Sequence, residues 1–121
     1  MAQTLTIAST GETGGWSLSG RTITVTNNAT INSSTIQNYL TSGSLTIVGN
    51  SNSFKVDVND NITSNTSGNG LTLGNASNTG VITFSNNVSI AGPISVVGGF
   101  IVINSNITST LSGADILFKA I

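Results

Sequence analysis

The sequence predicts an all-β fold, a parallel β-helix of about four coils, each of three short strands and roughly two dozen residues. Three observations carry this. Short alternating runs of Ile, Val, Leu and Phe recur throughout the 121 residues. One spaced apolar pattern occurs four times, and an Asn stands at the same place in each occurrence.

A first strand type is seen at Leu5-Thr6-Ile7, Leu45-Thr46-Ile47, Leu71-Thr72-Leu73, Ile94-Ser95-Val96 and Ile116-Leu117-Phe118. The last four begin 26, 23 and 22 residues apart. The second and third types come as a unit, apolar-x-apolar-x-x-x-apolar. Its members are Ile23/Val25/Ala29, Val56/Val58/Ile62, Ile82/Phe84/Val88 and Ile101/Ile103/Ile107. A spacing of two is a strand with alternate residues facing one side. The spacing of four is a strand, a tight corner and a new strand facing inward again. These apolar residues are the expected core column.

Asn28, Asn61, Asn87 and Asn106 each precede the third apolar residue. Asn tolerates tight corners and bonds locally to the chain. Stacked one per coil, the four side chains are expected to form an Asn ladder, amide to amide.

Connections vary while strands keep register, as solenoid insertions do, and glycines mark them at Gly11 to Gly15, Gly68 to Gly70 and Gly98-Gly99. One insertion reads as helical. Asn32-Ser33-Ser34 supplies capping residues, Ile36, Tyr39 and Leu40 follow at helical spacing, and Gly43 is a stop. With Trp16 from the other long insertion, this helix is expected to cover one end of the column. The chain is therefore read as a single domain over 1–121, with a first coil and cap-like insertions over 1–43 and regular coils over 44–121. Ile116 to Ile121 begins a fifth coil, which reads as part of a longer array or as an end that stacks on another copy.

Composition narrows function by exclusion. Charged residues are 6% of the chain, three basic and four acidic. No basic surface exists to displace counterions from phosphates, which argues against nucleic acid. Without Cys or His, no disulfide, thiolate metal site or imidazole base is available. No apolar run approaches the ~20 residues of a membrane helix, so no membrane insertion is expected. No cofactor motif is present.

The acids were weighed as a catalytic or Ca²⁺-binding pair. Asp57 is expected to project outward between inward Val56 and Val58, with Asp60 at the following corner. Asp60 aligns with Asn27, Asn86 and Ser105, so a solvated face and a corner substitution are preferred, and no enzyme is expected. Trp16 and Tyr39 are the candidate glycan contacts, against the alternative that they cap the core. An outward hydroxyl row is expected at Thr6, Thr46, Thr72 and Ser95; its plain explanation is the β-propensity of Thr. Asn-x-Ser/Thr triplets at Asn28, Asn61, Asn65, Asn87 and Asn106 match the N-glycosylation pattern. They are discounted because this composition produces them freely and four coincide with the corner ladder.

Segments such as Ser67-Gly68-Asn69-Gly70-Leu71-Thr72-Leu73-Gly74 and Asn106-Ile107-Thr108-Ser109-Thr110-Leu111-Ser112-Gly113-Ala114-Asp115-Ile116 resemble modules of giant repeat-rich bacterial surface proteins of the filamentous haemagglutinin class. That resemblance implies a right-handed β-helix, export to the extracellular space or cell surface, and a stalk or adhesive role. The implied partners are neighbouring modules, other copies of the chain, or surface glycans. A carbohydrate-binding module is the alternative function, and a polysaccharide-active enzyme comes third.

Overall fold

A computed structural model describes residues 3–121; the expected domain start at residue 1 lies outside the described residues. The fold is all-β with one short helix. In chain order the elements are β1 (Gln3–Ala8), β2 (Trp16–Ser19), β3 (Thr22–Val25), β4 (Ala29–Asn32), α1 (Ser33–Leu40), β5 (Leu45–Gly49), β6 (Phe54–Val58) and β7 (Ile62–Ser64). They continue as β8 (Leu71–Gly74), β9 (Val81–Phe84), β10 (Val88–Ile90), β11 (Ile94–Gly98), β12 (Phe100–Ile103), β13 (Ile107–Ser109) and β14 (Ile116–Ala120).

The strands form three sheets. One runs β12-β9-β6-β1-β4, a second β13-β10-β7, and a third β14-β11-β8-β5-β3-β2. From β5 onward the chain visits the six-, five- and three-stranded sheets in that order three times, then returns to the first with β14. Pairing is parallel and in register: Leu45, Leu71, Ile94 and Ile116 align in one row, and Ile62, Val88 and Ile107 in another. In-register parallel pairing puts like residues over like, so each inward row is a continuous apolar stack.

The first 43 residues depart from the expected repeat. Leu5 and Ile7 pair with Val56 and Val58, so β1 belongs to the five-stranded sheet, not among the strands that begin each round. Ile23 instead pairs with Ile47 in the six-stranded sheet, and Ala29 pairs with Leu5. The unit Ile23/Val25/Ala29 is thus a corner between different sheets from those joined by the other three units. The spaced pattern encodes a strand, a corner and a strand; it does not say which sheets the corner joins. A hairpin sets the new placement. Ser19 faces Thr22 across the two-residue loop Gly20-Arg21, with Gly20 at φ +59°. Glycine at the first loop position with positive φ is the type II′ signature that matches strand twist. This β2–β3 hairpin is the antiparallel pair in otherwise parallel sheets.

Of the expected core, Ile23, Val25, Val56, Val58, Ile62, Ile82, Phe84 and Val88 are fully buried, while Ile101 and Ile107 are partly covered. Ile103 is a correction: it pairs with buried Phe84, yet it is 43% exposed because β12 is the outer strand of the five-stranded sheet. Phe118 packs edge-on against Phe84, ring centres 6.3 Å apart at 78°. Glycine is required where rounds turn tightly. A Cβ on Gly80 would collide with the Phe54 carbonyl, and one on Gly99 with the Thr79 carbonyl, so each corner nests on the backbone of the round before.

Candidate functional site

Three of the seven charged side chains hold α1 in place. The helix begins after Asn32, whose side chain makes no capping bond and leaves Oδ1 buried without a partner. The cap expected from Asn32-Ser33-Ser34 does not form, and carboxylates from elsewhere hold the start of the helix instead. Glu12 Oε1 accepts from the Asn32 backbone N–H at 3.0 Å and from the Thr35 hydroxyl at 2.6 Å. Asp60 Oδ2 accepts from the Ser33 hydroxyl at 2.5 Å. Two carboxylates thus sit at the positive end of the helix dipole. At the negative end Arg21 donates Nε to Ser44 O at 3.0 Å, and Nη2 to Gly43 O at 3.0 Å and to Tyr39 O. Gly43 leaves the room for this, since its Cβ would stand 3.0 Å from Arg21 Nε.

These contacts separate the acids weighed as a pair. Asp60 is turned to the helix, while Asp57 lies in the outward row between Thr6 and Thr83. Among the described residues no group of three or more His, Cys, Asp or Glu is placed to hold a metal ion, and no helix is long and apolar enough to cross a membrane.

The helix takes the place that a strand would occupy beside β7. Gln37 Oε1 accepts from the Thr63 backbone N–H at 3.0 Å, satisfying a donor at the sheet edge with a side chain. Asn69 Nδ2 donates to Leu40 O at 2.7 Å, tying the last turn to the loop before β8. Ile36 and Leu40 are fully buried beneath it. Trp16 and Tyr39, the candidate glycan contacts, are both half-buried against this core. Trp16 faces inward opposite Val25 and donates Nε1 to Thr13 O at 2.9 Å. The two rings sit on different elements, β2 and α1, and form no ring pair. A shallow, open depression of about 280 Å³ lies nearby, lined by Thr4, Thr6, Thr13, Asn28, Ala29 and Thr30.

The corner asparagines form a ladder of a different kind from the one expected. Asn61 Oδ1 accepts from the Asn87 backbone N–H at 3.0 Å, and Asn87 Oδ1 from the Asn106 backbone N–H at 2.9 Å. Asn28 does the same for the Thr4 N–H at 3.0 Å, although it stands at another corner. Each side chain reaches to the backbone of the next layer and not to the next amide. The reason is satisfaction: at the corner the backbone N–H leaves the strand ladder and needs an acceptor.

The outward hydroxyl row also changes membership. Ser19, Thr22, Thr46, Thr72 and Ser95 align across the six-stranded sheet, with Thr22 in the place expected for Thr6. Sequence reasoning missed Arg21, Glu12 and Gln37. Their partners lie 18 to 26 residues away, so no local pattern marks them.

The two ends of the stack differ. At the C-terminal end β12, β13 and β14 are the outer strands of all three sheets. Phe100 is 70% exposed there, and Ile103, Ile116, Leu117 and Ile121 also face solvent. At the other end the outer strand β4 keeps Ile31 at 0% exposure, and Leu18 is the large apolar residue left open. Compared with known proteins, the chain matches no family model, no curated protein and no solved structure.

Proposed function

We propose that the three sheets are the faces of a right-handed parallel β-solenoid, and that the chain is a structural, adhesive module of a secreted or cell-surface repeat protein. What supports this is the in-register repetition from β5 onward. Three successive rounds visit the three sheets in the same order, and each lays its strands parallel and in register on those of the round before. Units that repeat in this way add one upon another, which is how a stalk gains length. The proposed partners are neighbouring modules or copies of the chain. The chain performs no catalysis in this reading, and the low charge and the resemblance to haemagglutinin-class modules agree with it. Glycan contact by Trp16 and Tyr39 has less support, since both rings are committed to the core.

Duplicating residues 94–115 ahead of Ile116 tests the proposal. In a solenoid the added round brings its own stack and interface, so Tm rises and the far-UV β signal grows in proportion. An extended chain that melts no higher than the parent, or loses its cooperative transition, refutes the solenoid.

A further inference from the structure

We propose that the corner asparagines are acceptor sites for N-linked sugar, with one amide atom serving the fold and the other left for modification. Asn61, Asn87 and Asn106 are exposed and lead Asn-Ile-Thr, Asn-Val-Ser and Asn-Ile-Thr triplets; Asn28 leads Asn-Ala-Thr and is exposed too. In Asn28, Asn61 and Asn87 the structural bond uses Oδ1 alone. Their Nδ2 atoms make no hydrogen bond among the described residues. The hydroxyls two residues on, Thr63, Ser89 and Thr108, align in one row across the three-stranded sheet with the inward Ile62, Val88 and Ile107 between them and the asparagines. The acceptor pattern and its hydroxyl therefore share one outer face, one pair per round.

The chemistry of the acceptor is compatible with this division. A sugar linked through its anomeric carbon to a diphosphate is the donor. A bond forms from Nδ2 to that carbon, the carbon–oxygen bond to the diphosphate breaks, the diphosphate departs with its electron pair, and the amide proton passes to a base of the transferring enzyme. The product is a secondary amide whose carbonyl oxygen still accepts. The ladder bond to the next round survives, so coincidence with the ladder is no reason to discount these triplets.

This inference stands on the ladder geometry and not on the adhesive reading. The test is glycopeptide mass spectrometry on the chain isolated from its own cells, beside the purified folded chain treated with a sequon-specific N-glycosyltransferase and UDP-glucose. Hexose is expected on Asn61 and Asn87 in both samples. Asn61→Asp and Asn87→Asp, made singly so that two carboxylates are not stacked on adjacent strands, each keep the acceptor oxygen and remove Nδ2, so Tm holds while occupancy at the changed site falls to zero. Asn61→Ala with Asn87→Ala lowers Tm as well. Thr63→Val with Ser89→Ala removes the hydroxyls, and occupancy is lost with the ladder intact. Unmodified asparagines in the native sample, sugar confined to Asn65, or transfer only after denaturation overturns the proposal. Asp variants that melt like the Ala variants overturn the division of labour between the two amide atoms.

Discussion

The closed end and the open end are built from the same kinds of residue, and they differ in what lies beyond the last strand. Ile31 on β4 and Ile103 on β12 are both apolar residues on an outer strand of the five-stranded sheet. Ile31 is fully buried and Ile103 is 43% exposed. The difference is the extra chain at the first end: α1 stands beside β4 and β7, and β2 extends the six-stranded sheet by one strand, setting Trp16 and Leu18 beside Val25 and Ile23. An outer strand with one neighbour buries less than a strand covered on both sides, so the covered end should open less readily than the exposed one.

The largest test places one substitution at both ends. Ile36→Asp forces a charge under the helix with no partner and should abolish the folded state, a loss of about 4 kcal/mol or more. Ile103→Asp, at an exposed site, should cost below about 1 kcal/mol. Circular dichroism with urea titration checks both, and equal losses would erase the distinction between the ends. Arg21→Met comes next. It removes the donor to the carbonyls of Tyr39, Gly43 and Ser44, which water can partly replace because these bonds are exposed, and should lower stability by about 0.5–1.5 kcal/mol, read as a shift in the urea midpoint. Hydrogen exchange should rank β12 and β14 among the fastest-exchanging strands, with β1, β5 and β6 among the slowest. The smallest effect belongs to Glu12→Gln, about 0.3–1 kcal/mol, which should shrink further in high salt as the dipole interaction is screened.

From residue 45 onward the sheets were legible because each round repeats at 26, 23 and 22 residues and each corner is local. The first 43 residues were less so. The same spacing that marks Val58 to Ile62 marks Val25 to Ala29, and nothing within seven residues tells one corner from another. Placement of β1 depends on pairing with Phe54–Val58, some fifty residues away. Helix α1 was readable from Ile36, Tyr39 and Leu40, whereas the carboxylate that holds its start came from Glu12, which no helical pattern could reveal. The Asn row was readable by position, but its bonds were not, because the need of the corner N–H appears only once the strands are paired. Exposure of Ile103 depends on what stands above it, a property of the assembly and not of the residue.

The position of β1 sets an order of events. It lies between β6 and β4, parallel to both, so it has to wait for two later strands before it is held on both sides. During synthesis β4 can pair with one edge of β1 soon after it emerges, but the other edge stays open until Phe54–Val58 follows, whereas each later round needs only the one just finished. Contacts of long sequence separation slow folding, and local ones hasten it. The molecule should therefore show a slow start followed by quick, sequential growth. A chain stalled before Val58 would present one open edge of β1 to the cell, and a chain stalled anywhere after it would already have its anchor.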